Sequence, residues 1–119
     1  MICEIPIKIE SVANKREHWS KKYAREKAQK LAVKLNLINV LKKDLELPVL
    51  IKLTRVAPRA LDYDNLVAGM KHVVDCIADM IKPGLAAGRA DSSEDMSFTY
   101  NQEKGEAKEY KLLIEIIEN

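Results

Sequence analysis

Pro48-Val49-Leu50-Ile51-Lys52-Leu53-Thr54-Arg55-Val56, then Leu61-Asp62-Tyr63-Asp64-Asn65-Leu66, then Lys71-His72-Val73-Val74-Asp75-Cys76-Ile77 places an alternating run, an acidic turn and an apolar stripe in direct succession. In the first run Val49, Ile51 and Leu53 face one side and Lys52 and Thr54 the other, the period of a strand. Pro58 and Arg59 end it. Leu66, Met70, Val73, Val74, Ile77, Met80 and Ile81 then recur at helical spacing, and Pro83-Gly84 stops that helix. The acidic turn therefore falls where a strand leaves the sheet and a helix begins.

Upstream, Ile5, Ile7 and Ile9 alternate with Glu4, Pro6, Lys8 and Glu10, which predicts a strand with one buried face. Ser11 to Asn14 reads as a polar loop. A helix is predicted from about Lys15 to Asn36, its apolar face carried by Trp19, Tyr23, Ala24, Ala28, Leu31 and Leu35. A connecting stretch runs through Lys42-Lys43-Asp44. Downstream, Gly84 to about Glu94 is small and polar, a loop long enough to suggest function or mobility. Met96, Phe98 and Tyr100, followed by Tyr110, Leu112, Ile114 and Ile116, read as a closing hairpin with Gly105 supplying its turn. The expected fold is α/β (α+β): a small mixed β-sheet in the order β-α-β-α-β-β with two main helices packed on it.

The 119 residues make one domain, 1–119, able to bury roughly 65% of its unfolded surface without staples. Cys3 and Cys76 both lie in apolar-patterned segments and read as buried, reduced thiols. The start, Met1-Ile2-Cys3-Glu4-Ile5, alternates rather than running apolar, so no leader peptide is expected. No stretch approaches the roughly 18 apolar residues of a membrane span. A soluble cytoplasmic protein with no organic cofactor is the expectation.

Charge is unevenly placed. Between Lys15 and Lys34 eight bases stand against two acids, a net +6, so the remainder carries −4 of a chain total of +2. Such asymmetry is the footprint of a polyanion partner. Arg16, Lys21, Lys22 and Arg25 are the foremost phosphate contacts expected on that helix. Trp19 either stacks on an exposed base or anchors the helix to the sheet. His18 reads as a phosphate or structural contact, and His72 as solvent-facing or partner-facing.

Asp62 and Asp64, one residue apart in extended chain, project to the same side. Two carboxylates so placed repel unless a cation lies between them, and Mg²⁺ or Mn²⁺ removes that conflict through oxygen ligands. Such an ion activates water for phosphodiester hydrolysis and neutralises charge on the phosphoryl oxygens. Asp64, Ala68, Lys71 and Asp75, spaced +4, +7 and +11, share one face of the helix, with Lys71 roughly 10 Å beyond Asp64 along the axis. The same residues also suit a helix cap by Asp64 and a surface pair between Lys71 and Asp75. In that reading the chain is a basic nucleic-acid-binding module with no chemistry.

Taken together, Leu61-Asp62-Tyr63-Asp64-Asn65-Leu66, Lys71 and Asp75 on the next helix, and a polar loop carrying Asp91 resemble the RusA-type Holliday junction resolvases, above all those of phages and prophages. The likeness continues in Ile5-Pro6, in Ser11-Val12-Ala13-Asn14 with Arg16 and His18-Trp19, and in Tyr100-Asn101-Gln102-Glu103-Lys104-Gly105. It implies a homodimer in the cytoplasm of a bacterial host that binds four-way DNA junctions and cuts two opposed strands with Mg²⁺ or Mn²⁺. By that resemblance Asp62, Asp64 and Asp91 are the catalytic acids and metal ligands, and Lys71 is the catalytic lysine. Asn14, Lys15, Arg16, His18, Trp19, Lys21, Lys22 and Arg25 contact DNA. Where the family often has paired loop aspartates, Ala90 stands at the first position. A metal nuclease acting on other branched DNA fits the same residues.

Overall fold

A computed structural model describes residues 2–10, 19–41, 45–82 and 95–118. Four strands, β1 (Ile2–Ile5), β2 (Val49–Ala57), β3 (Met96–Lys104) and β4 (Lys111–Glu118), form one sheet in the order β1-β4-β2-β3. β2 runs parallel to β3 and antiparallel to β4, and β4 runs antiparallel to β1. The helices are α1 (Trp19–Leu37), α2 (Tyr63–Gly69) and α3 (Lys71–Ile81). The α+β class and the mixed sheet agree with the sequence reading.

The closing hairpin does not form. β3 and β4 lie on opposite sides of β2 and pair with it rather than with each other. Alternation identifies strands but not their neighbours, and β2 has the apolar side chains that suit a central position. The β3–β4 connection crosses the end of β2, where the Gly105 amide donates to the Ala57 carbonyl at 2.9 Å. The positive φ of this turn falls on Lys108, at 62°, not on Gly105. Space at Gly105 is tight: a Cβ there would sit 3.0 Å from Val56 Cγ1 and 2.7 Å from Glu109 Oε1, the movable end of a flexible side chain.

At the N-terminus the alternation outlasts the ladder. Ile5 and Ile9 are buried, yet strand pairing stops at Ile5 because Pro6 has no N–H to give.

The first helix ends at Leu37, one residue beyond the expected Asn36, and its expected start at Lys15 lies outside the described residues; within them it turns the opposite face inward. Gln29, Val33 and Leu37 are buried, whereas Trp19, Tyr23, Leu31 and Leu35 are exposed. α1 carries apolar side chains on two faces, and spacing alone cannot select between them. Packing against α3 and β1 selects the Val33–Leu37 side, and the Gln29 amide on that side donates to the Lys8 carbonyl at 2.9 Å.

The long helix predicted after the acidic turn is divided at Met70 into α2 and α3. The division lies beside Gly69, where the Glu10 backbone passes so close that a Cβ would meet its carbonyl oxygen at 2.7 Å. The main core gathers Ile51 and Leu53 from β2, Leu112 and Ile114 from β4, Leu37 from α1 and Ile77 from α3.

Three smaller expectations meet the structure here. Cys3 and Cys76 are free thiols but only half-buried, donating weakly to Asn36 and Lys30 carbonyls of α1. Burial raises the pKa of both. No helix among the described residues is long and apolar enough to cross a membrane. His72 is not solvent-facing: its side chain is 12% exposed, with Nδ1 3.7 Å from Glu26. Burial lowers its pKa, and the nearby Glu26 carboxylate only partly opposes that.

Two outcomes follow from this packing. Leu37→Ala should cost about 2–5 kcal/mol in urea unfolding, while Leu35→Ala should stay within about 0.5 kcal/mol; equal losses would mean that the helix docks in the other phase. Because folding favours neutral His72, its stabilisation is complete above the ordinary histidine value of 6.5. It declines as pH falls below that value, until the folded protein itself takes up the proton. His72→Gln should flatten this part of the stability–pH curve, and an unchanged slope would show that another group sets it.

Candidate functional site

β2 directs Val49, Ile51 and Leu53 into the core, and the next residue in that register is Arg55, only 6% exposed. A charged side chain in a core position needs partners for its donors. Arg55 Nε donates to the Ile9 carbonyl at 2.8 Å, and Nη1 donates to the Arg59 carbonyl at 2.7 Å and to Gln102 Oε1 at 3.3 Å. All three acceptors are neutral oxygens. Burial accordingly lowers the Arg55 pKa, with a smaller opposing contribution from Tyr110. A guanidinium still keeps its proton under these conditions.

Gln102 stands opposite Arg55 in the β2–β3 register. Its side-chain amide is used at both ends by one backbone unit. Oε1 accepts from the Leu61 N–H at 2.8 Å, and Nε2 donates to the Leu61 carbonyl at 2.7 Å. Gln102 thereby treats Leu61 as a further rung beside the edge strand. The residue pinned in this way is the one immediately before the acidic turn.

Asp62 is extended, at φ −67° and ψ 162°, and caps α2. Its Oδ1 accepts from the Asn65 N–H at 3.2 Å. The Tyr63 ring meets Tyr100 of β3 edge to face, with centroids 6.4 Å apart. Asp62, Tyr63 and Asp64 are all exposed. Among the described residues Asp64 has no ion-pair or hydrogen-bond partner, and neither has Lys71. Lys71 opens α3 just beyond the Met70 division, with its side chain exposed. Helical bonds from Met70 to Leu66 and from Val74 to Met70 bridge that division, at 3.2 and 3.0 Å.

No group of three or more His, Cys, Asp or Glu side chains among the described residues is placed to hold a metal ion. The two acids do not both lie in extended chain as expected: Asp62 is the extended N-cap, whereas Asp64 is in the first turn of α2. Two exposed carboxylates at a helix start do suit a hard cation such as Mg²⁺, which keeps several waters and takes one or two protein carboxylates. Asp91 lies outside the described residues, as do Asn14, Lys15, Arg16 and His18. The described chain resumes at Asp95, which accepts from the Val49 N–H and forms an ion pair with Lys82. Asp95 thus precedes the start of β3, whereas Gln102 lies near its far end, roughly 23 Å away at strand rise.

On α1, Lys21, Lys22 and Trp19 are exposed, Trp19 at 74%. Trp19 therefore does not anchor the helix to the sheet. Arg25 differs from the lysines: its side chain is 18% exposed and lies 3.7 Å from Glu10, which also pairs with Lys8 at 3.1 Å.

Arg55 and Gln102 are the site residues that sequence reasoning overlooked. A signal was present: extending the Val49–Ile51–Leu53 alternation by two residues puts an arginine on the buried face. Nothing in the sequence indicates that its register partner is Gln102, because that depends on β3 lying parallel beside β2. The chain matches no family model, no curated protein and no solved structure.

Proposed function

We propose that this protein is a divalent-metal-dependent endonuclease for branched DNA, of the RusA type, acting as a homodimer on four-way junctions in the cytoplasm of a bacterial or phage-infected cell. The observation that carries the reading is an exposed carboxylate pair, Asp62 and Asp64, at the start of α2, where the preceding residue, Leu61, is held by the half-buried Gln102 side chain. Fixing an exposed acidic pair against the sheet serves ligand binding better than it serves solubility. In this reading Asp62 and Asp64, joined by Asp91, hold Mg²⁺ or Mn²⁺. The bound ion supplies an activated water and neutralises charge on the phosphoryl oxygens.

The chain's own residues supply the rest. Lys71, exposed and without a carboxylate partner among the described residues, brings a mobile ammonium toward the scissile phosphate. Lys21 and Lys22 neutralise backbone phosphates, which gives affinity without sequence preference. Trp19 offers a face for an unstacked base at a branch point. Two equivalent cuts in a junction suit a twofold pair of sites.

One observation favours a non-catalytic nucleic-acid-binding module: Asp62 does cap α2 through Asn65. The melting temperature separates the readings, since a metal site raises it with Mg²⁺ or Mn²⁺ and a plain cap does not.

Incubation with labelled four-way junction, fork, duplex and RNA, each with Mg²⁺, Mn²⁺ or EDTA, tests the proposal. Metal-dependent cutting of the junction is expected, and its absence from every substrate would remove the nuclease reading. Asp64→Asn should abolish cleavage while junction binding persists; a variant that cuts at the native rate would take Asp64 out of the metal site. Lys21→Ala combined with Lys22→Ala should weaken binding and lower the salt-dependence slope by about 1 to 2, whereas an unaltered slope would mean that α1 faces away from DNA.

A further inference from the structure

We propose that Gln102 is the positioning residue of the acidic turn, and that Arg55 serves it by holding the amide in the one orientation that engages Leu61. The proposal rests on the reading of Asp62 and Asp64 as metal ligands, but its structural half stands on hydrogen bonds alone. Gln102 gives one hydrogen bond to the backbone of Leu61 and receives one from it, engaging the C=O and the N–H of that single residue at 2.7 and 2.8 Å. Only a side-chain amide offers a donor and an acceptor with this spacing. The amide could also be turned the other way, with NH₂ toward the Leu61 N–H, and Arg55 excludes that choice. Its guanidinium can only donate, so it requires Oε1 on its side, 3.3 Å away.

The lock reaches three segments at once. Arg55 also donates to Ile9, after β1, and to Arg59, at the start of the turn. Backbone at both ends of residues 59–61 is thereby tied to the sheet, and Asp62 and Asp64 follow it in a set direction. Tyr63 against Tyr100 adds a contact on the same side of β3. A cation gains when two of its carboxylate ligands are fixed in this way, because ordering the turn at the moment of binding would cost affinity. Gln102 touches neither metal nor substrate in this account. It acts through the Leu61 backbone.

The test compares wild type with Gln102→Met, which keeps the length and loses both polar atoms, and Gln102→Glu, which keeps the acceptor for Arg55 but loses the donor to Leu61. Asn101→Ala, on the opposite sheet face, is the control. Native-state hydrogen exchange is read at the Leu61 amide against Ile51 and Leu53 in the same sample, so a general loss of stability moves all three together. Gln102→Met should speed Leu61 exchange at least tenfold relative to those core amides, with Asn101→Ala unchanged. Gln102→Glu should leave Leu61 closer to wild type, since it keeps the acceptor. Unchanged relative protection of Leu61 in Gln102→Met would overturn the lock.

A second readout is Mn²⁺ affinity by electron paramagnetic resonance, expected to fall five- to twentyfold in Gln102→Met. Faster Leu61 exchange with unaltered Mn²⁺ affinity would overturn the positioning role and leave a purely structural bond. If wild type binds no Mn²⁺, the metal reading fails and the positioning role with it, while the exchange arm still decides whether the lock exists.

Discussion

A guanidinium sealed under a sheet with only neutral oxygens around it is costly, because its charge loses water and gains no counter-charge. Arg55 is in that situation, and its partners show what the cost secures. They are the carbonyls of Ile9 and Arg59 and the amide oxygen of Gln102. Each belongs to a different piece of chain, so removing the guanidinium would release three segments rather than one contact. An apolar residue of similar size would pack there but could orient none of them. The organisation of the β2 exit, and with it the direction in which the acidic pair leaves the sheet, depends on this one buried charge.

The same economy is visible around it. The Glu10 backbone runs against Gly69, close enough to forbid any side chain there, and the helix that follows the acidic turn is divided at the next residue. Arg25 and Lys8 meet the Glu10 carboxylate. The segment after β1 thus touches α1, the end of α2 and Arg55, although it forms no strand. It functions as a spacer between the basic helix and the acidic turn, and both of the proposal's DNA-facing features are referred to it.

Much of this was legible in the sequence. Period-two runs located β2, β3 and β4, and the stripe from Leu66 to Ile81 located the helical segment, ending at Ile81 as observed and starting three residues after the observed Tyr63, since local periodicity responds to burial. Pairing was not legible: the hairpin expected of β3 and β4 is replaced by two strands flanking β2, a choice made by long-range packing. α1 shows the limit of periodicity itself. Trp19, Tyr23, Leu31 and Leu35 form a good stripe, yet Val33 and Leu37 are the residues buried, and the polar Gln29 helps decide the matter. At the site, Asp62, Asp64 and Lys71 were readable as types at a spacing. Arg55 and Gln102 were not, because their meaning lies in a cross-strand register that no local pattern encodes.

Where a paramagnetic cation settles on the folded chain decides the account most directly. Substoichiometric Mn²⁺ added to isotope-labelled protein broadens amide signals within a short radius of the ion. The account predicts broadening centred on Asp62, Tyr63, Asp64 and Asn65, extending to Lys71, with α1 and the start of β3 sharp. Broadening centred elsewhere, or none at concentrations that support nucleases, would contradict it.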